Sequence, residues 1–78
     1  MQTSETYKTT DLNLAAALFT AGNALIGLDK TDPSNAQFIF DYSTGLDFVA
    51  SDFWNGTLKL SARAYSENMR IMKNRLHR

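Results

Sequence analysis

Apolar residues recur along this chain with two different spacings, and the changes of spacing mark out its elements. From Leu12 to Ala21 two apolar stripes run side by side, Leu12, Ala16 and Phe19 on one and Leu14, Leu18 and Ala21 on the other. Little polar surface remains around them beyond Asp11, Asn13 and Thr20. A helix apolar nearly all round is buried on more than one side, so this segment is expected to be either the central helix or one half of a dimer contact. Thr9-Thr10-Asp11 supplies capping oxygens just before it, and Gly22 can take the left-handed conformation that closes it.

The spacing then shortens to two. Residues 24–30 alternate Ile26 and Leu28 with Gly27 and Asp29, and residues 36–42 place Phe38, Phe40 and Tyr42 on one face and Gln37, Ile39 and Asp41 on the other. Asp32-Pro33-Ser34-Asn35 between them is turn chemistry, with proline presetting its dihedral. A β-hairpin follows, and Tyr7 to Thr9 leave a short additional strand open. Ser43 and Thr44 can cap a second helix, in which the helical period returns with Leu46, Val49, Ala50, Phe53 and Trp54 and stops at Asn55-Gly56. Leu58-Lys59-Leu60 reads as a short extended link. Ser61 caps a last helix whose stripe is Tyr65, Met69, Met72 and Leu76. The expected fold class is α+β, ordered helix, hairpin, helix, helix, with the helices packed on a two-stranded antiparallel sheet. Residues 1–78 form one domain, of which 1–6 are polar and expected to be flexible.

With 78 residues, folding hides only about 60% of the surface an open chain exposes. The nine aromatics, Tyr7, Phe19, Phe38, Phe40, Tyr42, Phe48, Phe53, Trp54 and Tyr65, must therefore supply much of the core. Cysteine is absent, which removes disulfide staples and thiolate metal sites.

Net charge is zero but unevenly spread. Residues 1–56 hold seven acids against Lys8 and Lys30, whereas residues 57–78 hold six bases against Glu67 alone. On a helical wheel Arg63, Ser66, Arg70, Lys73 and His77 adjoin one another, away from the Tyr65–Leu76 stripe. Three readings of this basic run stay open: a solvated face complementing the negative end of the helix dipole, a phosphate-contacting helix, or a surface docking on an acidic protein. The acids close behind it disfavour a long duplex. Ile71, nearly opposite the apolar stripe, is either one exposed isoleucine or part of a dimer or partner surface.

Other chemistry finds little support. The aromatic strand could stack bases, as in some RNA-binding sheets, but beside helices it reads better as the core face. Asp29, Asp32 and Asp41 match no calcium loop and suit turns. His77 is the lone histidine and sits next to the chain end, so no triad can be assembled. No enzyme activity, cofactor or metal is expected. The segment before the apolar stretch is too acidic for a signal peptide, and no apolar run reaches a membrane span, so residence in the cytoplasm is expected.

Across residues 6–76 the chain resembles a family of small proteins of unknown function found in bacterial genomes, plasmids and phages. The pattern Thr-Asp-x-x-Leu-Ala-Ala-x-Leu is carried by Thr10, Asp11, Leu14, Ala15, Ala16 and Leu18. The aromatic strand follows with Phe38, Phe40 and Asp41, then Phe53 with Asn55-Gly56, and a closing helix with Tyr65 and Lys73. The resemblance implies a mobile-element setting, in which small non-enzymatic proteins commonly inhibit host defence complexes, anti-CRISPR proteins among them. The expected function is thus a non-catalytic interaction protein docking on a host protein or nucleoprotein complex. Its candidate contacts are Arg63, Arg70, Lys73 and Arg75, with Ile71, Asp47 and Asp52 as further interface residues. The alternatives are a small nucleic-acid-binding module using the same basic helix, and a structural homo-oligomer such as a homodimer.

Overall fold

In the computed structural model, which describes residues 5–32 and 34–77, the elements follow one another as β1 (Thr6–Thr9), α1 (Leu12–Thr20), β2 (Leu25–Asp29), β3 (Gln37–Asp41), α2 (Thr44–Asn55) and α3 (Ala62–Leu76). The fold class is α+β as expected, and the additional strand left open at Tyr7 to Thr9 is formed. The sheet has three antiparallel strands in the order β1-β3-β2, so the aromatic strand β3 is central. Tyr7 pairs with Phe40 and Thr9 with Phe38, which places both on the face that Phe38 and Phe40 present to the helices. The ladder extends past Asp41, where Tyr42 N–H donates to Glu5 C=O at 3.0 Å. Of the residues expected to be flexible, Thr6 is therefore strand and Glu5 holds a backbone bond; residues 1–4 lie outside the described residues.

A bulge in β2 sets the orientation of that strand. Leu25 pairs with Phe40, but Gly27 pairs with Ile39 and Leu28 with Phe38, so Ile26 is an extra residue. Strict alternation had grouped Ile26 with Leu28. The extra residue instead brings Leu25 and Leu28 onto the core face and leaves Ile26 57% exposed. Of the expected Asp32–Asn35 turn, Asn35 N–H donates to Asp32 C=O at 2.9 Å; Pro33 lies outside the described residues.

The helices cover one face of the sheet, in two layers that fit the short 18 Å dimension of the molecule. Helix α1 is the central one, buried at every position from Leu14 to Leu18, and it packs against both α2 and α3. Asp11 caps it, accepting from the N–H groups of Asn13 at 2.9 Å and Leu14 at 3.1 Å. The core joins Leu14, Ala15, Ala16 and Leu18 to Phe38, Phe40, Leu46, Ala50 and Met72. Burying each of the large side chains contributes about 1.5–3 kcal/mol.

Both α1 and α2 end in the same hydrogen-bonded motif. Gly22, at φ 102°, donates to Phe19 C=O while Asn23 N–H reaches Leu18 C=O. Gly56, at φ 74°, donates to Phe53 C=O while Thr57 N–H reaches Asp52 C=O. Each glycine stands at the left-handed position this closure needs.

Candidate interaction surface

Helix α3 is fixed from its capped start. The Ser61 hydroxyl accepts from Ala64 N–H at 3.2 Å, and Tyr65 N–H closes on Ser61 C=O at 2.9 Å. Its stripe then turns inward as the spacing requires: Met72 is fully buried, and Tyr65, Met69 and Leu76 pack against the core. Two polar contacts seat it on α1. The Tyr65 hydroxyl donates to Asn13 C=O at 3.2 Å, and the Asn68 amide donates to the Thr20 hydroxyl at 3.0 Å. Burial of the Tyr65 ring, with a smaller contribution from the Asp11 charge, pushes its phenol pKa up.

Fixing the stripe inward fixes the cations outward. Arg63, Arg70 and Lys73 are exposed on the far side of α3, with Glu67 among them. Among the described residues no carboxylate forms an ion pair with any of the three. Lys73 and Arg75 lie in the last turn of the helix, where positive charge complements the dipole. His77 is exposed beside them, its N–H bonding back to the Lys73 and Asn74 carbonyls at 3.3 Å.

Arg75 does not join this ridge. It lies around the helix towards β2, where it lines a groove of about 610 Å³ with Leu28, Lys30, Ile71 and Asn74. Ile71, 41% exposed, is therefore not isolated on the surface, since Leu28 lines the same groove. The cations read from sequence as one set thus form two groups, an open ridge and the rim of an apolar groove.

Asp47 and Asp52 sit elsewhere, on α2, which packs on α1 and makes few contacts with α3. Asp47, in the first turn of α2, accepts a hydrogen bond from the Tyr42 hydroxyl. Asp52 accepts from the Thr57 hydroxyl at 3.2 Å beside the α2 closure. Tyr42 was expected on the core face; it lies one residue past the end of β3 and is exposed. Donating to the Asp47 carboxylate raises its phenol pKa, because losing that proton would set two anionic oxygens against each other.

Sequence reasoning missed two exposed aromatics on α2. Trp54 was expected in the buried stripe but is 64% exposed, its indole meeting the Phe53 ring edge-on with centroids 5.1 Å apart. Phe48, given no place in the stripe, is 69% exposed. The wheel does carry the signal: Phe48 lies nearly opposite Leu46 and Ala50, and Trp54 falls at the margin of their stripe. Behind Phe53, a smaller apolar groove of about 270 Å³ is lined by Ala17, Leu58, Leu60 and Tyr65 among others.

The aspartates near the hairpin serve local turns. The Thr31 hydroxyl and N–H donate to the Asp29 carboxylate at 2.6 and 2.9 Å and hold its pKa below the usual carboxylate range. The Ser34 hydroxyl and N–H donate likewise to Asp32 at 2.8 and 3.1 Å. Among the described residues no cluster of acids and histidines could hold a metal ion, and no helix is long and apolar enough to cross a membrane.

The candidate surface thus consists of a basic ridge and an apolar groove on a small α+β scaffold. By its family model, which matches residues 4–78, the chain belongs to the DUF5659 family, a domain of unknown function. No curated protein and no solved structure matches it. The resemblance seen in the sequence holds at that level, a family of unknown function.

Proposed function

We propose that this protein is a non-catalytic interaction module that docks the Arg63–Arg70–Lys73 ridge of α3 against an acidic surface of a partner. The observation that carries the reading is how α3 is held. Tyr65, Met69, Met72 and Leu76 are committed to the core while the three cations stand in solvent with no carboxylate partner among the described residues. Guanidinium groups so placed can form paired hydrogen bonds to carboxylates or phosphates. Glu67 within the ridge opposes a continuous phosphate track, which favours a protein surface over a long duplex. The partner class implied by the resemblance is a host protein or nucleoprotein complex of a nucleic-acid-targeting defence system, which would make the chain an inhibitor of the anti-CRISPR type.

The test is capture of a partner from bacterial lysate by tagged protein, repeated with Arg70→Glu/Lys73→Glu. Capture lost in the double variant supports the reading, and capture unchanged removes the ridge as the contact. Binding to labelled single- and double-stranded DNA and RNA across a salt series separates the alternative. Affinity falling with a log–log slope of roughly −0.9 per duplex phosphate contacted would mark a nucleic-acid module instead.

A further inference from the structure

We propose that the chain associates with itself head to tail, the exposed side of α2 that carries Phe48 and Trp54 in one copy seating on the Leu28–Ile71 groove of the next. The two surfaces complement each other in shape class and in charge. On α2, Phe48 and Trp54 are the two most exposed large apolar side chains among the described residues. The residues flanking them include Asp47 and Asp52, and α2 carries no base. The groove between β2 and α3 has an apolar floor of Leu28 and Ile71, a rim that includes Lys30 and Arg75, and about 610 Å³ of space. Six residues apart, Phe48 and Trp54 stand about 120° from each other around the helix, so the exposed side of α2 presents them as two separate anchors, and tryptophan anchors are typical of binding hot spots.

Charge decides the symmetry. Pairing α2 with α2 would oppose Asp47 and Asp52 to their own copies, and pairing α3 with α3 would oppose cations to cations. Acidic α2 against the basic side of α3 brings opposite signs together, and of the two basic groups there only the groove also offers an apolar lining, Leu28 and Ile71, for the aromatic side chains. Because α2 and α3 both pack on α1 but make few contacts with each other, both surfaces stay accessible on one molecule. The contact is then heterologous: one copy's groove is filled while its own α2 face remains free for a third. Arg63, Arg70 and Lys73 lie outside this contact, so each added copy would repeat the ridge, and the two proposals fail independently.

Light scattering and sedimentation test it. Wild-type protein at about 1 mM, where a contact with a dissociation constant of that order is half formed, should show a mass above that of the monomer. The association should weaken at least about tenfold when salt is raised enough to shrink the screening length from roughly 10 Å towards 3 Å. Two variants at exposed positions then separate the faces: Ile71→Asp/Arg75→Glu closes the groove, and Phe48→Ser/Trp54→Ser removes the anchors. Each alone should be a folded monomer by circular dichroism and scattering. Mixed, they should form a one-to-one dimer and stop, because one intact face of each kind remains. If either double variant does not fold, Ile71→Ser and Phe48→Ser take its place in the same mixing experiment. Monomeric wild type at that concentration overturns the proposal. So do variants that associate alone and variants that fail to combine when mixed, the latter being the outcome for a symmetric interface.

Discussion

The Asn68 amide of α3 donates to the Thr20 hydroxyl at the end of α1, which itself donates to Ala16 C=O at 2.7 Å. The chain of bonds joins residues 48 apart in sequence and, together with the buried stripe of α3, holds the rotation of that helix about its own axis. That rotation decides whether the ridge cations face solvent.

Removing either partner should therefore be measurable. Asn68→Ala should lower the stability to urea by about 1 kcal/mol, the usual net worth of one such bond. A double-mutant cycle with Thr20→Ala should return a coupling of roughly 0.5–1.5 kcal/mol. Independent, purely additive losses would mean that the contact does not hold the helices together.

Two phenylalanines test where the core ends. Phe40 is fully buried and Phe48 is 69% exposed. Phe40→Ala should cost about 3–5 kcal/mol through lost transfer energy and the cavity left behind. That is a large part of the ~5–15 kcal/mol total expected of a domain. Phe48→Ala should stay within about 0.5 kcal/mol, as at other exposed sites. Urea denaturation followed by circular dichroism compares them directly, and similar losses at both sites would refute the placement of Phe48.

These two residues also show what the sequence could disclose. Helical spacing placed Leu14, Leu18, Leu46, Ala50, Met72 and their neighbours inside, and capping chemistry at Asp11, Ser43 and Ser61 marked the starts of all three described helices. Periodicity failed where geometry departs from a repeat. The Ile26 bulge reverses the phase of β2, and its cause is pairing with a strand beyond the segment itself. Tyr42 continues the alternation of β3 one residue past the strand's end, where it is exposed and its hydroxyl meets Asp47 at the start of α2 rather than the core. The third strand was faint because four residues give too little alternation, and its partner Phe40 lies more than thirty positions away. As for the candidate site, the wheel of α3 could place Arg63, Arg70 and Lys73 together. It could not show that Arg75 and Ile71 meet Leu28, since that depends on how α3 lies beside β2.

Gly56 offers a local test of helix closure. At φ 74° it occupies a conformation that most side chains resist, although a Cβ there would touch nothing within 4 Å. Any loss in Gly56→Ala is then conformational rather than steric crowding with neighbours, and about 1 kcal/mol is expected. Gly56→Asn should lose less, because asparagine tolerates the left-handed region. Equal losses for the two, read from thermal or urea midpoints, would place the cost elsewhere.

Alkaline pH tests the Tyr42–Asp47 contact. Tyr42 is raised by the hydrogen bond to Asp47, and Tyr65 mainly by burial. A phenol whose pKa is higher in the folded chain than in the unfolded one binds its proton more tightly when folded. Its contribution to stability is complete below the unfolded value of about 10 and is lost as pH rises from there through the folded value. Phenolate absorbance of the folded protein should therefore lag that of the urea-unfolded chain, and the urea midpoint should fall across the same window. Tyr42→Phe should narrow the lag by removing one of the three tyrosines, and Asp47→Asn should move the remaining Tyr42 titration towards lower pH. Coincident curves for the folded and unfolded chains would show that the Asp47 carboxylate does not hold the phenol proton.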